Sequence, residues 1–222
     1  MAIVLAYLCL AYLIVLTFFH PIRRRKVGGD FKPYLFYFAA FFAFFFLVPC
    51  ALLILTRGET LSSLRAIGLG LGAIGRGLPL ASVGLPVTVL AGWIGSRDPA
   101  LRNFYPFSKE ALRSRRAFAA YELAYVVLYY PAWEFLYRGI LFFPLIPAIG
   151  LVPALGVETL LSTLYHIGHP ASEILAAVGA GIIFGLIAFW TGSFFYTALL
   201  HAAVGVSTDT FLFLRFRGEK AG

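Results

Sequence analysis

Glu134 and Arg138 stand one helical turn apart in WEFLYRG, residues 133–139, within a stretch that carries almost no other charge. At that spacing the two share a helix face, where they can form an ion pair or the base can orient the acid. Further on, LYHIGHPASE holds His166 and His169 with Glu173 closing the run, and the last apolar stretch holds His201 and Asp209. His201, Gly205 and Asp209 fall at i, i+4 and i+8, one helix face, and Gly205 would leave room beside His201 for a substrate backbone or a water. A carboxylate with two imidazoles is sufficient to activate water for hydrolysis. Zinc would be held by His166, His169, His201 and either Glu134 or Asp209, since imidazole and carboxylate suit that ion, but no H-E-x-x-H is present. Hydrolysis of this kind needs no metal, so no cofactor is expected. Ser162 lies one turn before His166, yet serines in membrane helices usually bond to the preceding turn of backbone, which argues against a serine nucleophile.

The elements that must position these groups are membrane helices. Of 222 residues, 61% are hydrophobic, 23 are Phe and only 13% are charged, far from the balance of a water-soluble domain. Apolar segments run from about Ile3 to Phe19, Tyr34 to Leu55, Leu78 to Ile94, Ala117 to Ile146, Leu151 to Ile167, Glu173 to Thr191 and Phe194 to Leu214. They predict an all-α fold: a polytopic membrane helix bundle of about seven transmembrane segments, six to eight, in a single domain over 1–222. Pro131 predicts a kink or break in the long fourth segment, and the short connections after it make the last four segments antiparallel neighbours. An ionisable group inside such a segment costs about 3 kcal/mol on insertion scales. Glu122, Glu134, Arg138, Glu158, His166, Glu173, His201 and Asp209, with His169 just past the fifth segment, are therefore each a functional hypothesis.

The net charge of +8 belongs to the loops. With the N-terminus outside, fourteen Lys and Arg fall on the cytoplasmic side and Arg57, Arg65 and Arg76 on the other, which predicts N-out, C-in. Anionic lipid then accounts for the basic balance and no nucleic acid is expected. GLGAIG, residues 70–75, matches a dinucleotide-binding pattern but follows no strand and has no acid about 20 positions on. It reads as close packing or an interfacial segment, and Gly181 with Gly185 as a close helix contact. Cys9 and Cys50 both lie in apolar stretches and read as packing residues. The first apolar run lacks a basic n-region and a small-residue cleavage site, so a retained span is expected. Arg outnumbers Lys 14 to 4, which points to a GC-rich coding sequence and a bacterium, with the cytoplasmic (inner) membrane as location.

WEFLYRG, LYHIGHPASE and FWTGSFFYTALLHAAVGVSTD together resemble, in order and spacing, the three motifs of the CAAX-protease and bacteriocin-processing (CPBP, ABI) family of intramembrane proteases, in its single-glutamate W-E-F-x-x-R-G branch. The resemblance covers 104–210, a catalytic core, and leaves 1–103 as variable N-terminal spans. It implies Glu134 as the base, His166 as its partner, His201 as oxyanion stabiliser and Arg138 as the residue that orients the carboxylate. His169, Glu173, Gly205 and Asp209 are implied as supporting residues. Three positions depart from the family pattern. Trp133 stands where the first of two adjacent glutamates is usual, Gly205 where an asparagine is usual, and His169 where the branch tends to have lysine.

The expected function is therefore an intramembrane endopeptidase acting on a membrane-associated peptide or protein tail by a glutamate/histidine-activated water. The alternative is a non-catalytic membrane relative that binds a hydrophobic peptide or partner protein, in an immunity or accessory role. A proton-relaying transporter would predict repeated halves, and no internal repeat is evident.

Overall fold

The computed structural model describes residues 2–14, 31–57 and 64–219. Among them there is no strand. The helices are α1 (Ala2–Ile14), α2 (Phe31–Leu55), α3 (Ile74–Gly95), a short α4 (Pro99–Phe104), α5 (Arg115–Ile149), α6 (Leu151–Leu164), α7 (Ala171–Thr191) and α8 (Phe195–Glu219). Five of these, α2, α3, α5, α7 and α8, are long and apolar enough to cross a membrane. The bundle is all-α as expected, with a shorter set of full-length crossings. The segment expected over Leu151–Ile167 ends as a helix at Leu164, because Gly168 takes a left-handed turn (φ +98°) that places His166 and His169 beyond the helix. The far end of the first expected segment lies outside the described residues.

Between membrane helices there is little hydrophobic driving force, so close packing must hold them. Three glycines of α3 supply it. A Cβ at Gly77, Gly84 or Gly92 would overlap Tyr196, Leu200 or Ser207 of α8, so the two helices run parallel and nearly touch along this seam. Gly181 and Gly185 of α7 do the same against Thr159 and Glu158 of α6, the close contact their spacing predicts.

The other half of the core is aromatic. Tyr121, Tyr125 and Tyr129 repeat every fourth residue on α5 and meet Phe38 and Phe41 of α2, with ring centroids 4.7 Å apart for Phe38–Tyr125 and 4.6 Å for Phe41–Tyr129. Each such pair contributes about 1 kcal/mol beyond area burial.

Of the kink or break expected at Pro131, there is no break: α5 continues for 35 residues. Its turn over Tyr125–Tyr129 is π-helical, closed by the Tyr130 N–H donating to the Tyr125 carbonyl, and a second π-helical stretch covers Phe135–Leu141. The wider turn gives the proline ring room without breaking the backbone, and π turns inside α-helices are frequent at functional sites.

GLGAIG, expected as an interfacial segment or close packing, is exposed and is held by hydrogen bonds, with the Gly68 before it, to the turn between α7 and α8. The Ala73 N–H donates to the Thr191 carbonyl at 2.7 Å, the Ser193 hydroxyl to the Gly70 carbonyl, and the Phe194 N–H to the Gly68 carbonyl at 3.3 Å. Gly192, left-handed at φ +67°, ends α7 and lets α8 start at the angle that carries His201 toward α5.

Candidate active site

Glu134, Arg138, Glu158 and His201 form one buried group from three helices. The His201 Nδ1–H donates to Glu134 Oε1 across 2.7 Å, joining α8 to α5. Arg138 NH1 donates to the same oxygen at 3.3 Å, and its Nε lies 3.2 Å from Glu158 Oε2 on α6. One guanidinium thus serves two carboxyl groups, and Gly185 makes this possible, since a side chain there would collide with Glu158. Glu134 has no exposed surface, whereas a fifth of the His201 side chain is exposed. With Nδ1 committed to the carboxylate, the outward Nε2 of a neutral His201 carries a free lone pair.

His166 is not part of this group. The resemblance pairs it with Glu134, whereas the ring it meets on α5 is that of Trp133, which packs edge-on against both imidazoles, with centroids 5.1 Å from His166 and 5.8 Å from His201. His166 instead belongs to a second polar cluster. Its Nδ1–H donates to the Ser162 carbonyl at 2.8 Å and its Nε2 lies 3.9 Å from Glu173 Oε1. Glu173 Oε1 also accepts from the Tyr105 hydroxyl at 2.6 Å and meets His169 Nδ1 at 3.0 Å. Burial pulls the His166 imidazole down to about 4, with Glu173 opposing, so it is neutral at pH 7. Burial, followed by the charge of Glu173, holds the Tyr105 phenol well above its usual range.

Two supporting residues sit elsewhere than expected. The space left by Gly205 is filled by the hydroxyl of Tyr130, which a side chain at 205 would overlap, so it is not room for substrate. Asp209 faces Glu122 rather than His201. Both carboxyl groups are buried, and Lys109 lies near Asp209 at the end of the bundle. Burial pulls Lys109 down to about 8, opposed by Asp209.

The set named for zinc is not gathered. His166 and His169 lie with Glu173, His201 bonds Glu134, and among the described residues no three His, Cys, Asp or Glu side chains converge as a metal cage.

Glu158 was legible as an ionisable group in an apolar segment, but its role as the second partner of Arg138 was not. Tyr105 and Tyr130 carried no signal, being two tyrosines among twelve.

Residues 116–207 match the family described as Rce1-like, type II CAAX prenyl endopeptidase. Over that segment the chain is similar to this family. The matched segment contains Glu134, Arg138, His166 and His201, together with Trp133 and Gly205. The family is described as one of endopeptidases, and the matched segment lies within a chain that has five helices long and apolar enough to cross a membrane. No curated protein and no solved structure matches the chain.

Proposed function

We propose that the protein is an intramembrane endopeptidase of the cytoplasmic membrane that hydrolyses a peptide bond in a membrane-associated peptide or protein tail. The 2.7 Å bond between Glu134 and His201 carries this reading. A buried carboxylate that holds Nδ1–H of an outward-facing imidazole leaves Nε2 as a general base, the arrangement that activates nucleophiles in hydrolases. His201 takes a proton from water, the water oxygen attacks the substrate carbonyl carbon, and the imidazolium returns the proton to the leaving amine. Glu134 stabilises the imidazolium and Arg138 fixes the carboxylate. In this scheme Glu134 supports the base and His201 is the base, a reversal of the roles the family resemblance implies, and it follows from which of the two is exposed.

The test uses purified protein in detergent and a panel of internally quenched peptides. Some carry a prenylated cysteine four residues from the C-terminus, the tail named in the family's description, and others are unmodified hydrophobic peptides. His201→Ala and Glu134→Gln are each expected to lower kcat by about a thousandfold or more, on the scale of dismantling a catalytic dyad. Cleavage by wild type that both variants retain would sink the proposal. Absence of cleavage, with both variants folded and an unchanged cellular phenotype, would favour the alternative of a partner-binding membrane protein. A chelator arm tests the metal question on its own.

A further inference from the structure

Tyr130 has a place that the scheme above leaves unused. Its ring lies 4.9 Å from that of His201, it precedes Glu134 by one turn of α5, and it is 2% exposed. Its hydroxyl occupies the spot one turn past His201 on α8 where a side chain at 205 would project. Glycine at 205 is thus the condition for a phenol from α5 to reach the His201 face. The Tyr130 ring also packs on that of Tyr125, with centroids 4.5 Å apart, and its phenol has an O–H to donate.

We infer that Tyr130 is a catalytic residue, donating its hydroxyl hydrogen bond to the anionic oxygen formed when water adds to the substrate carbonyl. The inference rests on the proposed hydrolysis. As the water oxygen bonds to the carbonyl carbon, the π pair moves onto the carbonyl oxygen while the water's proton goes to His201 Nε2. On collapse that pair re-forms the C=O, the C–N bond breaks, and the amine leaves with the proton from His201. Tyr130 keeps its own proton throughout. A donor held rigidly by burial stabilises the developing charge more than it stabilises the neutral carbonyl, which raises kcat and leaves ground-state binding almost unchanged.

The experiment compares Tyr130→Phe, Gly205→Ala and the double variant on whichever quenched peptide wild type cleaves, with thermal unfolding in detergent as the folding control. Tyr130→Phe is expected to lower kcat by about 100-fold with KM nearly unchanged, the scale of one lost oxyanion donor. Gly205→Ala, which displaces the hydroxyl, is expected to lower kcat at least tenfold, and the double variant to match Tyr130→Phe, since both changes act through one group. A phosphinic peptide that mimics the tetrahedral state should lose affinity for Tyr130→Phe in proportion to the loss of kcat/KM, which a packing defect would not produce. Wild-type kcat in a folded Tyr130→Phe, or a double variant more active than Gly205→Ala alone, would overturn the inference while a His201-dependent activity left the protease reading standing. Loss of that dependence would instead overturn the protease reading itself.

Discussion

Arg138 decides the chemistry of the buried group because it is the cation within reach of both Glu134 and Glu158. Replacing it by methionine would leave two buried carboxyl groups facing one another, and breaking a buried pair this way typically costs about 3–5 kcal/mol. Arg138→Met is thus expected to lose most of its thermal stability in detergent. Glu158→Gln, which keeps the volume and one acceptor, should cost about 1–3 kcal/mol. If Arg138→Met unfolded at the wild-type temperature, the network would be incidental.

His166 makes a different kind of prediction. An unfolded histidine takes its proton near 6.5, whereas burial holds this one down to about 4 in the folded protein. Between those values the unfolded state binds more protons, so stability rises with pH and falls on acidification, by up to about 1.4 kcal/mol per pH unit. Unfolding measured from pH 7.5 to pH 5 should show a smaller drop for His166→Asn than for wild type. Equal drops would mean that His166 is not held neutral.

At the scale of elements, glycine positions set the geometry of the site. The Gly77, Gly84 and Gly92 seam fixes the distance and register of α8 against α3, and so where His201 sits relative to α5. Gly84→Val would push against Leu200, the residue before His201, at a cost of about 1–3 kcal/mol, and should reduce activity with every catalytic side chain still in place. Gly156 and Gly179 have open space where a Cβ would go, so Gly156→Ala and Gly179→Ala should be neutral or stabilise by about 0.5–1 kcal/mol. Unfolding and peptide cleavage measured on all three separate a packing requirement from a general intolerance of change. The π turns of α5 belong to the same scale, since they carry the helix past Pro131 and keep Glu134 on an unbroken element.

For the whole molecule, the bundle separates its charged ends. Phe118 stacks on Phe213 at 4.5 Å, Ser172 bonds Asp98, and the Phe31 N–H donates to Glu110 at 2.8 Å, which gathers Arg97, Arg102, Lys109, Arg113, Arg115, Arg116, Arg215 and Arg217 at one end. Arg76 bonds the Trp190 carbonyl at the other end, near the 191–194 turn. The N-out, C-in orientation expected from the loop charges would put the crowded end in the cytoplasm. In a variant with Cys9 and Cys50 replaced by alanine, a cysteine at 76 should react with an impermeant thiol reagent on intact cells. One at 217 should react only after permeabilisation. The reverse pattern would invert the topology.

The membrane class, the helical bundle and the residues worth suspecting were all decided by the sequence, for one physical reason: a bilayer makes long apolar runs and isolated charges conspicuous. Local spacing likewise settled that Glu134 and Arg138 share a face and that Gly181 and Gly185 mark a close helix contact. Only the tertiary structure decided partnership. Glu134 meets His201, whereas His166 bonds the Ser162 carbonyl and faces Glu173. Asp209 turns to Glu122, and Tyr130 takes the space at Gly205, because α5 and α8 face each other at a register that no local pattern encodes. Spacing along one helix is fixed by its own geometry, whereas contacts between helices depend on which small residues let two backbones approach.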